Sequence, residues 1–233
     1  GTGGFLLMNT GSDIVRSDNG LLSTVAWKIG DEVTYALEGS TFVSGSVMKW
    51  MRDELRLFDK VSETAEMAQR AGTTAGVYVI PAFVGLAAPY WDDRAKAAIV
   101  GLTLGTSHDQ LVRAAIESMA YQAKDVLDCM EADSGIPIQV LKVDGGAAAN
   151  DFLLQFQSDL CQLEVDRFKV NELTALGAAF LAGLAIGFWT MDELKIELGR
   201  KFVPNRDEKE MKKRYSNWKQ AVKACRSFKP EMV

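Results

Sequence analysis

The segment IQVLKVDGGAAANDFLLQF, residues 138–156, most constrains what this chain can fold into. The continuous apolar run over 138–145 is typical of a strand that is buried on both faces, and it ends in an acid and two glycines. A helix is predicted over 150–162, directly after the glycines. A strand, a glycine turn and a helix in this order form a place where α/β proteins bind ligands, because bare backbone lets a flat ring or a phosphate approach closely. A tight turn followed by a helix cap explains the same residues without a ligand.

Three antiparallel strands are predicted ahead of this segment. Apolar alternation and β-branched or aromatic residues indicate strands over 5–10, 20–30 and 31–39, and the pair Gly30-Asp31 is typical of a hairpin turn. Apolar spacing predicts the remaining elements in chain order: helices over 41–57 and 62–70, strands over 76–83 and 97–102, a helix from Ser107 or Asp109 to about 132, a strand over 163–168, and helices over 173–187, 192–198 and 207–226.

Composition limits the class of protein. The chain has 233 residues, of which 48% are hydrophobic, and no linker-like stretch, so we expect one α/β domain over 1–233. A formal net charge of −5 gives no indication of nucleic acid or an anionic membrane surface as a partner. No apolar stretch reaches the ~20 residues that a membrane span needs. The sequence therefore predicts a globular protein with no membrane span.

The cysteines and the single histidine predict no chemistry. Cys129, Cys161 and Cys225 are odd in number, lie far apart and lack metal-ligand spacing, so we interpret them as buried thiols of a cytoplasmic protein. His108 lies just before a helical pattern and is expected to be a solvated residue at a helix start. No metal ligand is predicted.

Two further glycine-containing stretches are candidate ligand contacts. GTGG, residues 1–4, combines backbone N–H groups with the hydroxyl of Thr2, which suits a terminal phosphate oxygen; an irregular chain end explains it as well. Gly45 falls inside the first predicted helix, where a glycine costs about 1 kcal/mol relative to alanine. Close approach by a packed neighbour or by a nucleotide is expected there. The GTGG opening, without a methionine, also indicates a piece cut from a longer protein.

These features together resemble a known family. The order of three antiparallel strands followed by β-α-β-α is similar to the second half of the actin-like ATPase fold, in which each half carries a ribonuclease H-like mixed sheet flanked by helices. AAIVGLTLGTSHDQLVRAAIES (97–118) resembles a signature of the FGGY carbohydrate kinases. PAFVGLAAPYWD (81–92) is similar to the glycerol kinase version of the preceding loop. The segments over 36–55, 143–159 and 172–189 resemble the same branch of the family.

The resemblance implies an activity, and it implies which functional residues lie in this chain and which lie outside it. It implies that residues 1–233 are the C-terminal nucleotide-binding domain of an enzyme that phosphorylates glycerol with ATP and Mg²⁺, in the cytoplasm and as a homo-oligomer. It also implies that the catalytic aspartate and the glycerol-binding side chains lie in an N-terminal part outside this chain. No catalytic residue is therefore expected here, and the chain alone is expected to be inactive.

The resemblance also implies roles for single residues. Thr2 matches a threonine at the terminal phosphates, Gly45 a nucleotide-contacting glycine, and Gly146 and Asn150 a glycine and an asparagine at adenosine. Phe5 matches an apolar residue beside the glycerol carbon chain, and the segment over 173–177 is expected near adenine. Asp144 is expected to brace the loop. Asp92 and Asp93 are expected to lie in a solvated loop.

Two positions depart from the family pattern. Lys49 stands where these kinases often carry a glutamine that contacts the nucleotide, and a lysine would reach a phosphate or a ribose as a point charge. The run over 93–98 differs from the usual acid and Ala-Arg-Gly sequence after PYWD, so the backbone of this loop is expected to be less free.

Three alternatives stay open on the sequence alone. Another FGGY sugar or polyol kinase has the same nucleotide-binding half, and its substrate contacts would lie mostly outside this chain. A non-catalytic actin-like module would use nucleotide to control a partner. A Rossmann enzyme would need a glycine fingerprint after the first strand, whereas here the DGG turn comes late and follows three antiparallel strands.

Overall fold

The computed structural model describes residues 3–229 as an α/β protein. Its strands are β1 (Gly4–Gly11), β2 (Leu22–Ile29), β3 (Glu32–Thr41), β4 (Tyr78–Ile80), β5 (Ala98–Val100), β6 (Val140–Val143), β7 (Glu164–Phe168) and β8 (Leu198–Phe202). Its α-helices are α1 (Ser46–Asp53), α2 (Thr64–Arg70), α3 (His108–Ser134), α4 (Asp151–Cys161), α5 (Leu173–Ala185) and α6 (Glu208–Ser227), with short 3₁₀ turns at Val61–Glu63, Gly146–Ala149 and Met191–Glu193.

The three predicted N-terminal strands form an antiparallel sheet. Its order is β1-β3-β2, with β3 in the centre, and the β2–β3 hairpin turns at Gly30 with a φ of +60°, where glycine is favoured. Leu6 and Met8 of β1 face α3, while Phe5 and Leu7 point to the opposite, exposed side. The prediction of three antiparallel strands is confirmed.

The remaining strands form two further small sheets. β4 and β5 pair antiparallel, and β6-β7-β8 is a mixed sheet in which β6 and β7 are parallel and β8 is antiparallel to β7. The parallel β6–α4–β7 unit directly follows the DGG segment. It places the carboxyl end of β6, the 3₁₀ turn and the start of α4 together, as the sequence predicted.

The long helix α3 is the centre of the core. Ser107 caps its start through a reciprocal bond with Gln110, and Gly135 ends it with a left-handed φ of +67°. Helices α1, α2, α4 and α6 pack around it, and Trp218 of α6 stacks on Tyr121 of α3 with ring centroids 5.2 Å apart. No helix within residues 3–229 is both long and apolar enough to cross a membrane.

Three predicted elements differ from the structure. The first helix begins at Ser46 and not at 41, because Thr41 belongs to β3. Residues 192–198 are not a helix: a capping box between Thr190 and Glu193 closes a single 3₁₀ turn, and the strand β8 follows. β6 is not buried on both faces, since Val140 is 38% exposed and the strand is an edge strand.

The single histidine and Cys225 lie where the sequence predicted them, whereas Cys129 and Cys161 are only partly buried. His108 is exposed at the first position of α3. The three cysteines are free; Cys225 is buried, and burial raises the pKa of Cys129 to about 11 and that of Cys161 to about 12. Thiols with such pKa values stay protonated and unreactive near neutral pH.

Candidate nucleotide-binding site

A cavity of about 540 Å³ lies beside the turn that follows β6. Three parts of the chain form its walls: helix α1, the 3₁₀ turn with the start of α2, and the glycine turn before α4. Met119 of α3 adds an apolar contact. The lining residues are Gly45, Met48, Lys49, Arg52, Val61, Ser62, Thr64, Ala65, Met119, Gly146, Ala147, Ala149 and Asn150. The cavity thus brings together four predicted site residues from segments about 100 residues apart: Gly45, Lys49, Gly146 and Asn150.

Gly45 and Gly146 leave open space toward this cavity. A Cβ added at Gly146 would meet no heavy atom within 4 Å, and one added at Gly45 would meet only the Cβ of Ala147, at 3.9 Å. Neither residue has the positive φ that favours glycine, whereas Gly145 does, with a φ of +84°. Gly45 is also the N-cap of α1 and does not lie inside the helix as predicted. Neither packing nor backbone conformation therefore requires a glycine at 45 or 146.

Asn150 lines the cavity and also caps helix α4. Its Oδ1 accepts the backbone N–H of Leu153 at 3.1 Å, which caps α4, and its Nδ2 donates to the hydroxyl of Thr64 at 3.2 Å. The Asn150–Thr64 bond ties the glycine turn to the start of α2. An amide has two N–H groups, so one remains for a ligand.

Two cations lie on the wall formed by α1. Lys49 is exposed, and Arg52, three residues later on the same helix face, forms an ion pair with Asp53, with Arg52 Nε 2.7 Å from Asp53 Oδ1. The hydrogen bond from Arg52 lowers the pKa of the Asp53 carboxyl. Our sequence reasoning missed Arg52, although its spacing from Lys49 is a usable signal. The lining contains no carboxylate, so this cavity favours an anionic ligand.

Asp144 braces the loop, as predicted. Its Oδ2 accepts the backbone N–H of Leu173 at 2.9 Å, and the neighbouring Gly145 N–H donates to the carbonyl of Asn171 at 3.0 Å. These bonds join the end of β6 to the start of α5. Residues 173–177 are therefore next to the glycine turn, but they do not line the cavity.

The other predicted site residues lie elsewhere. Phe5 is 69% exposed on β1 and borders a different groove, between β1 and β6. Thr2 lies outside the described residues. Asp92 is not in a solvated loop: it pairs with Arg226 and Lys229, and its pKa falls to about 2, mainly through the bond from Lys229. Asp93 is exposed.

The residues of this cavity do not fit a magnesium ion. Mg²⁺ is bound mainly through carboxylates and phosphates, whereas the lining offers two cations, apolar groups and the neutral side chains of Ser62, Thr64 and Asn150. Within residues 3–229, no group of three or more His, Cys, Asp or Glu side chains is placed to hold a metal.

Comparison with known proteins decides the family. Residues 1–186 match the sequence profile of the C-terminal domain of the FGGY family of carbohydrate kinases. The chain belongs to this family. It is 52% identical over 232 residues to glycerol kinase from Bacillus licheniformis and 55% identical over 232 residues to glycerol kinase from Brevibacillus brevis, covering 98% of this chain in each case. It spans 47% and 46% of those two proteins, and so about half of their length.

Solved structures agree with this assignment. The crystal structure of Plasmodium falciparum glycerol kinase with ADP superposes with a TM-score of 0.89 and 38% identity over 97% of this chain and 46% of that chain. Gluconate kinase from Lactobacillus acidophilus superposes with a TM-score of 0.82 at 23% identity, which shows the fold alone. The predicted actin-like ATPase fold is confirmed.

The FGGY signature segment has a structural role in this chain. Glu117 and Arg113, one helical turn apart in the signature helix, form an ion pair at 2.7 Å, and their side chains are 1% and 2% exposed. Arg113 also donates to the carbonyl of Ala68 in α2, at 2.9 Å, and Arg214 of α6 lies 3.7 Å from Glu117. Burial raises the pKa of Glu117, and the two arginines oppose that effect. The signature helix α3 is therefore joined to α2 and α6 through Arg113 and Glu117, neither of which lines the cavity.

Proposed function

We propose that this chain is the nucleotide-binding half of an ATP-dependent glycerol kinase, which phosphorylates glycerol to glycerol 3-phosphate. The observation that carries the proposal is the cavity that unites Gly45, Lys49, Gly146 and Asn150. High identity to two glycerol kinases and the superposition on one with ADP support glycerol over other FGGY substrates. We also propose that residues 1–233 form one nucleotide-binding domain.

The cavity suits the two ends of a nucleotide. Met48, Val61 and Met119 offer apolar surface to a base, and the bare backbone at Gly146 admits a flat ring. Lys49 and Arg52 offer positive charge to phosphates or to a ribose. We assign Gly146 and Asn150 to adenosine, Gly45 and Lys49 to the polar part of the nucleotide, Thr2 to the terminal phosphates and Phe5 to the glycerol carbons.

Phosphoryl transfer needs more than this chain offers. The phosphates must be held in line with the acceptor hydroxyl, their charge must be neutralised, and a carboxylate must orient or deprotonate the hydroxyl. The cavity serves the first requirement and supplies some positive charge, but no carboxylate lines it. We propose that the carboxylate and the Mg²⁺ site lie in the part of the enzyme that corresponds to the unmatched half of the relatives. The free cysteines support a cytoplasmic location.

The test is an assay of ATP-dependent phosphorylation with a panel of glycerol, xylulose, ribulose and gluconate. We expect the longer protein that carries this chain to form ADP with glycerol and not with the sugars. The 233-residue chain alone is expected to give no turnover. Activity on a sugar without activity on glycerol would replace this proposal with another FGGY kinase. Nucleotide binding without turnover on any of the four would indicate a non-catalytic module.

A further inference from the structure

The side chain of Asn150 belongs to a chain of hydrogen bonds whose direction is fixed at both ends. The Leu153 N–H donates to Asn150 Oδ1 at 3.1 Å, and Asn150 Nδ2 donates to Thr64 Oγ1 at 3.2 Å. Thr64 Oγ1 in turn donates to the Val61 carbonyl at 2.7 Å. A backbone N–H can only donate and a carbonyl can only accept. The Asn150 amide therefore has one orientation, since a flipped amide would place its NH₂ group against the Leu153 N–H.

One donor of Asn150 is left over when the bonds of the described residues are counted. Its backbone N–H donates to the carbonyl of Ala147 at 3.1 Å, and its own carbonyl accepts the N–H of Leu154 at 3.2 Å. Its Oδ1 caps α4, and one N–H of Nδ2 goes to Thr64. The second N–H of Nδ2 belongs to a side chain that lines the cavity. A ligand atom that pairs with this N–H must be an acceptor.

Thr64 is itself held firmly by the core. It is fully buried at the first position of α2, and its hydroxyl bond to Val61 spans the 3₁₀ turn that precedes this helix. One turn later in α2, the carbonyl of Ala68 accepts a bond from the buried Arg113 of α3 at 2.9 Å. Thr64 therefore has little freedom to move with Asn150, and it fixes the direction of the remaining N–H.

We propose that Thr64 is a positioning residue of the nucleotide site: it holds the Asn150 amide so that one N–H donates to an acceptor atom of the bound adenosine. This inference rests on the proposed function of the cavity. The acceptors of adenosine are its ring nitrogens and ribose oxygens, whereas its 6-amino group is a donor and does not suit this N–H. The role needs the hydroxyl of Thr64 and not its methyl group, so serine can replace threonine here and valine cannot.

Calorimetric titration of ADP into the intact protein that carries this chain tests the role of Thr64. Thr64→Val removes the hydroxyl and is expected to weaken ADP binding about fivefold, the effect of one hydrogen bond, whereas Thr64→Ser should stay within about twofold of the parent. Thr10→Val is the matched control. Thr10 is also buried, its Oγ1 donates to the Asp13 carbonyl at 2.8 Å, and it does not line the cavity. This control should leave the ADP affinity unchanged.

ADP analogues that each lack one acceptor test whether Thr64 acts through the Asn150 N–H. The set is 1-deaza-, 3-deaza- and 7-deaza-ADP with the 2′-deoxy and 3′-deoxy forms. We expect one analogue to bind the parent more weakly than ADP does, and we expect this deficit to disappear in Thr64→Val, whose Asn150 N–H is no longer aimed at the missing atom. A merely structural role of Thr64 would lower the unfolding temperature and leave the deficit unchanged.

The possible outcomes separate this inference from the proposed function. Parent-like ADP affinity in Thr64→Val, or an equal loss in Thr10→Val, would overturn the role of Thr64 while ADP binding by the parent upholds the site. The same deficit in the parent and in Thr64→Val for every analogue would also overturn it. Absence of ADP binding by the parent protein would overturn both the inference and the proposed function. If Thr64→Val does not fold, Thr64→Ala removes the same hydroxyl and takes its place, with the same expected loss.

Discussion

At the residue scale, the packing of the protein does not explain why residues 45 and 146 are glycines. Both could carry a Cβ without a clash, and neither has a left-handed backbone conformation. Their added atoms would instead enter the cavity that Lys49 and Asn150 also line. We interpret the missing side chains as room for the nucleotide, whereas Gly145 is a glycine because its φ of +84° requires one.

The first prediction concerns the effect of Lys49 substitutions on ADP affinity. We expect Lys49→Glu to weaken ADP binding about fivefold, or roughly 1 kcal/mol, because it reverses an exposed charge beside the position that we propose for the phosphates. Lys49→Gln should bind ADP with a smaller dependence on salt than the parent chain. Titration calorimetry at two ionic strengths measures both effects, and Lys213→Glu on the exposed side of α6 is the control. An unchanged affinity in Lys49→Glu would remove Lys49 from the site.

Asp92 gives a prediction about pH. The bonds from Lys229 and Arg226 lower its pKa to about 2, against about 3.9 in an unfolded chain. The ion pairs therefore add stability above about pH 4, and this contribution is lost as the pH falls toward 2. Since both cations are partly exposed, we expect Asp92→Asn to cost about 1 kcal/mol at pH 7.

Thermal unfolding of the parent chain and of Asp92→Asn, followed between pH 7 and pH 2, checks this prediction. The difference between the two unfolding temperatures should shrink steadily below pH 4. Asp93→Asn, at the exposed neighbouring position, should leave the unfolding temperature nearly unchanged throughout. A difference that stays constant down to pH 2 would show that charge pairing is not the source of the effect.

The sequence predicted several residues that line the cavity, but it did not predict contacts between segments that lie far apart in the chain. Gly45, Gly146 and Asn150 could be assigned from short motifs, because those motifs include the backbone and side-chain groups that border the cavity. Arg52 and Thr64 could not, since their place depends on how α1 and α2 meet the glycine turn. The partners of Asp92 lie more than 130 residues away in sequence, so no local pattern could indicate them.

At the element scale, α3 is the helix on which the others depend. It carries the buried Arg113–Glu117 pair and also Asp125, which is 4% exposed and accepts bonds from Tyr90, Tyr215 and Trp218 at 2.6 to 2.9 Å. Each group connects α3 to an element far away in sequence. A buried charge with this many partners is costly to leave unpaired.

This arrangement predicts the effect of removing the Glu117 charge. Glu117→Gln leaves Arg113 buried without a carboxylate, and we expect the free energy of unfolding to fall by about 3–5 kcal/mol. Glu210→Gln removes an exposed partner of Arg214 and should cost less than about 1 kcal/mol, which makes it a matched control. Urea unfolding followed by circular dichroism measures both variants. A loss in Glu117→Gln no larger than in Glu210→Gln would show that the buried pair does not join the helices.

The predicted bounds of helices and strands agree best with the structure where the local sequence pattern is strong. The ends of α3 and α6 agree with the sequence to within about two residues, because a capping residue marks each start and Gly135 marks the end of α3. β8 was missed because LGRKF has no apolar alternation and becomes a strand only by pairing with β7. β6 was predicted to be buried on both faces because a run of apolar residues does not reveal that one edge borders an open groove.

At the scale of the whole molecule, the described residues form a helical core around α3, with three small sheets packed around it. The cavity that we propose for the nucleotide and the groove between β1 and β6 both border the glycine turn. Met119 and Ala147 line both, so the two sites share a wall. The chain spans about half the length of the glycerol kinases that it matches, so we propose that the catalytic groups lie in the part that corresponds to their unmatched half.

The most direct measurement is a calorimetric titration of ADP into the intact protein that carries this chain, in its parent form and with Gly146→Trp. The backbone at Gly146 accepts a side chain, because its φ is not left-handed and an added Cβ meets no heavy atom within 4 Å. Gly105→Trp, in an exposed turn away from the cavity, is the control. We expect saturable ADP binding that Gly105→Trp leaves unchanged and Gly146→Trp weakens at least tenfold. Parent-like ADP affinity in Gly146→Trp would contradict the assignment of this cavity to the nucleotide.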